Sequence, residues 1–169
     1  MITNGQFLLA PLLFQFFLAV LLLFFWRRTD WQRWASVTGN FIGLGLALAL
    51  FQRVWQGGVL SVQAGGWEAP FGITLVADML SATLVLLTSV VGLAAAVYSA
   101  AAIREQRLKL GYFSTLQFLL MGLTGAFMAG DVFNLYVWFE VIIISSFVLI
   151  TIGGDRMQLE AAIKYFTIN

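Results

Sequence analysis

The sequence predicts an all-α polytopic membrane protein: five full transmembrane helices plus part of a sixth, with an outside β-hairpin between helices 2 and 3. Three observations carry that prediction. The 169 residues are 61% hydrophobic and 10% charged, with a mean hydropathy of +0.93, whereas a soluble domain carries roughly 45–50% apolar and about 25% charged residues. Five apolar runs approach or exceed the span of about 20 helical residues that crosses ~30 Å of hydrocarbon. The basic residues fall mostly in alternate linkers, the pattern of a chain that threads a membrane repeatedly.

The runs lie at about residues 6–26, 36–53, 76–102, 112–129 and 132–152. "MITNGQ" has no basic region ahead of the first run, and Arg27 and Arg28 follow it, so that run reads as a retained span and not as a cleaved signal peptide. The second run is short, and the third is long enough to tilt. Between them, "VLSV" and "FGITL" flank "AGGWEAP"; short β-prone runs around a Gly-Gly turn suggest a hairpin, with an irregular loop as the alternative. Trp55 and Trp67 suit the interface depth of aromatic belts. "GLGLALAL" and "GLTGAFMAG" bring small residues to helix faces and allow close packing. A sixth run begins near Gln158 and reaches Asn169 after only part of a span, which leads to the expectation of a truncated or split polypeptide. The chain divides into helices 1–2 (1–56), an extracytoplasmic hairpin (57–75), helices 3–4 (76–130), and helix 5 with the start of helix 6 (131–169).

Seven of the nine basic residues occupy the odd linkers: Arg27, Arg28 and Arg33 in the first, Arg104, Arg107 and Lys109 in the third, Arg156 in the fifth. The other side carries Arg53 with Glu68, Asp78 and Asp131. By the positive-inside rule the odd linkers face the cytoplasm and the N-terminus lies outside.

Cysteine and histidine are both absent, which removes disulfides, thiolate chemistry and the commonest metal ligand and neutral-pH base. The net charge of +1 argues against a nucleic-acid footprint, and no phosphate-binding or dinucleotide motif occurs. No cofactor is expected. The chemistry that remains runs on a few Asp, Glu, Lys and Arg side chains.

Glu140 in "NLYVWFEVIIISSF" is the ninth residue of the last full run. An ionised, unpaired carboxylate near the bilayer centre costs at least ~2.5–3.5 kcal/mol, and such acids usually mark ion or proton paths; a neutral Glu bonded to a neighbouring helix is the alternative. Ser145 and Ser146 lie further along and suit water binding or helix packing. Lys164 stands four residues after Glu160, either as a surface ion pair or as a cation that tunes Glu140. Asp78 and Asp131 each precede a helix and read as N-caps, with cation attraction at an outer mouth as the other reading.

"GGWEAPFGITLVADMLSA", "GDVFNLYVWFEV" and "SSFVLITIGGDRMQLEAAIKYFTIN" strongly resemble the D subunits of the Mrp-type multisubunit Na+/H+ antiporters, in their N-terminal portion. The wider group includes antiporter-like subunits of respiratory complex I and of membrane-bound hydrogenases. The resemblance runs from about residue 65 onward, and the first two spans match in character. It implies a fold of about fourteen spans built on two inverted five-helix units. It sets Glu140 on the family's fifth-span glutamate, assigned to proton transfer, which the family pairs with a seventh-span lysine. Lys164 matches a commonly basic position early in the sixth span. Residues 131–169 would then begin the proton-conducting core.

The expected function is a membrane subunit exchanging H+ for Na+, with other Mrp-type subunits as partners in a hetero-oligomeric complex of the bacterial inner (plasma) membrane. A secondary transporter subunit, and not an enzyme, is the expectation. The alternatives are a proton-pumping subunit of a complex I-type or hydrogenase complex, which would be translocase-like, and a non-transporting structural fragment.

Overall fold

In the computed structural model, which describes residues 6–25, 27–64 and 72–168, a 3-10 turn at Gln6–Leu9 leads into helix α1 (Ala10–Phe24). Pro11 sits in the first turn, where its missing N–H removes no intrahelical bond. Helix α2 runs over Thr29–Gly57, 29 residues and not the 18 of the expected 36–53 run. The residues read as linker are helical because they satisfy groups at helix ends. Asp30 lies in the first turn, where the helix dipole favours a negative charge. Arg33 donates from Nη1 and Nη2 to the carbonyls of Ala100 and Ile103 at 2.8 and 3.3 Å, pairing end groups of the neighbouring helix.

Strands β1 (Leu60–Ala64) and β2 (Ile73–Ala77) follow, paired antiparallel from Leu60 opposite Ala77 to Ala64 opposite Ile73. Val76 and Ala77, assigned above to the third span, belong to β2, since "ITLVA" alternates more and less buried positions as a half-buried strand does. The expected turn, with Trp67 and Glu68, lies outside the described residues.

Helix α3 (Met79–Ala102) opens on Asp78, whose Oδ1 accepts the Ser81 backbone N–H at 2.7 Å. That capping contact holds the Asp78 carboxyl below its ordinary range. A short helix α4 (Glu105–Leu108) occupies the third linker. Gly111, at φ 86°, makes the left-handed step into α5 (Tyr112–Phe127). Helices α6 (Val132–Thr151) and α7 (Arg156–Ile168) complete the chain.

Among the described residues four helical segments are long and apolar enough to cross a membrane: Phe7–Phe24, Thr29–Gly57, Met79–Ala102 and Val132–Thr151. Helix α5, expected over 112–129, has 16 residues, about 24 Å at 1.5 Å per residue. It stops early because strand pairing claims the next backbone groups: Val76 N–H donates to Met128 O at 2.8 Å and Gly130 N–H to Thr74 O at 2.9 Å.

The bundle is built from α1, α2, α3 and α5, with Ser114 Oγ of α5 donating to Ala19 O of α1 at 2.7 Å. Leu8, Leu12, Leu50, Val85 and Met121 form an apolar cluster at the hairpin end. Leu18, Leu22, Phe113, Leu116 and Leu120 form another at the opposite end. Between them sit buried polar side chains, including Gln15, Asn40, Ser89 and Gln117, while Phe17, Phe41, Leu80 and Val91 point outward. A buried polar layer between apolar clusters, inside an apolar exterior, suits a lipid solvent. Trp34 and Trp55, both exposed, are separated along α2 by about 31 Å at helical rise, close to the ~30 Å hydrocarbon thickness.

Candidate functional site

The entry of α6 is held by strand β2. Asp131 Oδ1 accepts the Asn134 N–H at 2.7 Å, an N-cap as its sequence suggests, while Oδ2 accepts the Thr74 N–H of β2 at 2.9 Å. Asn134 is buried and donates from Nδ2 to Thr74 O at 3.1 Å. The cap is readable in "GDVFN"; its second partner, 57 residues away, is not. Asp131→Ala removes both bonds and is expected to cost about 0.5–2 kcal/mol for the cap alone. Asp131→Asn keeps one acceptor and should fall between it and the parent in thermal melts of the protein in lipid nanodiscs.

The flank of α6 is held by glycines. A Cβ on Gly125 would run into the Trp138 ring, and one on Gly122 would lie 2.9 Å from Ile142 Cγ1 and 3.3 Å from its backbone N. The small residues of "GLTGAFMAG" therefore let α5 and α6 approach closely. In "GLGLALAL", Gly43 lies against Phe14 whereas Gly45 faces nothing.

These contacts turn the Asn134–Trp138–Ile142–Ser145 side of α6 inward; Asn134 and Ser145 are its two buried residues. Burial of Ser145 fits a packing role, and Ser146 is half-buried. The other side, at 3- and 4-residue spacing, carries Phe133, Tyr136, Glu140 and Ile144. Phe133, Tyr136 and Ile144 are exposed and Glu140 is half-buried. Tyr136 stands one turn before Glu140 on the same side, which puts its hydroxyl in the neighbourhood of the carboxyl. Tyr136 is absent from the residues singled out by sequence, although the i, i+4 spacing in "YVWFE" is its signal. Further along α6, Phe147 packs on Phe166 of α7 with ring centroids 5.4 Å apart.

Lys164 is not brought to Glu140. Its Nζ bonds Glu160 Oε1 at 2.8 Å, with side chains 69% and 65% exposed, the surface i, i+4 pair that is one of its two readings. Among the described residues no ion pair involves Glu140, and no cluster of three or more acidic side chains converges as a metal site would.

The D subunit of the Bacillus subtilis Na+/H+ antiporter is 39% identical over 165 residues, covering 98% of this chain and 34% of that protein. The chain is homologous to the antiporter D subunits. The D subunit from Alkalihalophilus pseudofirmus is 38% identical over 164 residues, covering 95% of this chain and 33% of the relative. The likeness to the D subunits therefore includes the first two helices, which the sequence motifs match in character alone. No family model matches the chain. A chain of the membrane-bound sulfane sulfur reductase, an archaeal respiratory membrane complex, superposes with a TM-score of 0.83 at 27% identity, over 99% of this chain and 34% of that one. The chain thus spans about a third of the length of the D subunits it matches.

Proposed function

We propose that the chain is a portion of a D subunit that exchanges monovalent cations, Na+ first among them, for H+ within a hetero-oligomeric membrane complex, and that Glu140 passes the proton. The observation that supports this reading is the situation of Glu140: ninth of the twenty residues of α6, half-buried on a side that the bundle leaves open, with Tyr136 one turn away. A titratable group held near mid-bilayer without an ion pair has little structural use, since a neutral residue would fill the position at lower cost. Lys164 is a secondary candidate, a cation on α7 that could serve the same relay once released from Glu160. All five runs cross the membrane in this reading, with α5 as the shortest crossing. The basic linkers lie in the cytoplasm, and the hairpin and N-terminus lie outside a bacterial inner membrane.

The test is cation-dependent collapse of ΔpH in everted vesicles containing the assembled complex. Membranes lacking the chain should show none, and its return should restore exchange; exchange that persists without it would remove the chain from the transport path. The likeness to a respiratory complex supports a second reading, a proton-translocating subunit of a redox assembly. Co-purifying iron–sulfur proteins would favour that reading, and small membrane subunits without redox centres would favour the antiporter.

A further inference from the structure

The centre of the bundle holds a polar layer that proton transfer at Glu140 does not use. Gln15 of α1, Asn40 of α2, Ser89 of α3 and Gln117 of α5 line one small cavity between the helices, together with Gly39 and Gly43. Its volume is about 10 Å³, roughly the room that one water centre occupies. Gln117 is fully buried, and both its Oε1 and its Nε2 lack a hydrogen-bond partner. Gln15, 7% exposed, leaves Oε1 unpaired. The other two groups are already committed in part: Asn40 Nδ2 donates to Ser36 O at 2.8 Å, and Ser89 Oγ donates to Val85 O at 3.0 Å.

Leaving such groups stranded is costly anywhere, and hydrocarbon around the bundle offers no bulk water to relieve them. The chemistry of the set selects the ligand. The side chains that carry an unpaired amide donor and unpaired amide acceptors line the same space, and no charged side chain lines it. A cation would satisfy the oxygens and be repelled by the N–H; an anion would do the reverse. Exchanging O and N of Gln117 leaves one donor and one acceptor in place. Only a small ligand that both donates and accepts fits, in both size and polarity.

We propose that this cavity binds a single water molecule that bridges the amides of Gln15 and Gln117 and so ties α1 to α5. The tie sits between the two apolar clusters and adds to the direct Ser114–Ala19 bond that joins the same two helices. Its effect reaches the candidate site indirectly, because α5 is the helix against which α6 packs. On α2 the polar residues Gln32, Ser36 and Asn40 recur every four positions toward the cavity, all buried, so the layer is part of a continuous polar seam.

Water-edited solid-state NMR of the protein in lipid nanodiscs, with labelled glutamine, tests this. The Gln117 side-chain amide should receive magnetisation from water at short mixing times. Gln117→Leu should abolish transfer to the Gln15 amide as well, since the shared water goes. The unsubstituted protein decides the matter even where a variant folds poorly. A Gln15–Gln117 amide contact with no water transfer to either side chain would overturn the proposal. So would water transfer to Gln15 that survives Gln117→Leu unchanged in a folded variant.

Discussion

Glu140→Gln should abolish ΔpH-coupled Na+ efflux in vesicles carrying the assembled complex, while leaving the amount of assembled complex unchanged. Gln matches Glu in volume and lies on the side of α6 away from α5, so the helix should keep its packing against Gly122 and Gly125. What is lost is titration. A relay needs a group that alternates between proton-bound and proton-free forms, and an amide does neither near neutral pH. Removing a charged form that costs ~2.5–3.5 kcal/mol or more in mid-bilayer should stabilise the helix slightly, so inactivity combined with undiminished assembly is the diagnostic pair. Glu140→Asp retains titration on a shorter side chain and should leave measurable exchange. Full antiport in Glu140→Gln would sink the proton-transfer role outright.

Gly125→Val should be a strongly damaging packing change at the α5–α6 contact. An added Cβ meets the Trp138 ring at a distance no real contact adopts, and the branch of Val adds further bulk on a helix face with no slack. Overpacking of this kind typically costs about 1–3 kcal/mol and occasionally more. The expected result is a lower thermal midpoint and reduced antiport with Glu140 intact, because α6 can no longer seat on α5. A double-mutant cycle separates this from a simple loss of helix propensity. Gly125→Ala combined with Trp138→Leu should be less destabilised than the sum of the two single changes. Strict additivity would show that Gly125 is not there to admit the ring.

The proton-transfer candidate is legible because its signal is local. Glu140 is the only charged residue between Asp131 and Asp155, an anomaly in any context that removes water, and "FNLYVWFEV" requires no fold to interpret. Asp78 and Asp131 are equally legible as caps, since a cap forms with residues three positions on. Helix ends are less so. The 36–53 reading of α2 follows mean hydropathy, whereas the helix extends back to Thr29 because Arg33 has carbonyls at the end of α3 to bond. The reading of α5 runs two residues too far because Met128 and Ala129 are apolar, and hydropathy does not register a strand waiting to pair with them.

Membrane class, a mostly helical fold, the clustering of basic residues in alternate linkers and the isolation of Glu140 in an apolar run all follow from residues taken in order. Each depends on transfer from water to lipid, a property of a segment and its immediate neighbours. Which side of α6 faces α5, the grip of β2 on Asp131 and the convergence of Gln15 with Gln117 depend on partners far along the chain. Only tertiary packing decides those, because a polar side chain inside a bilayer takes its meaning from whatever group the fold brings within hydrogen-bonding reach.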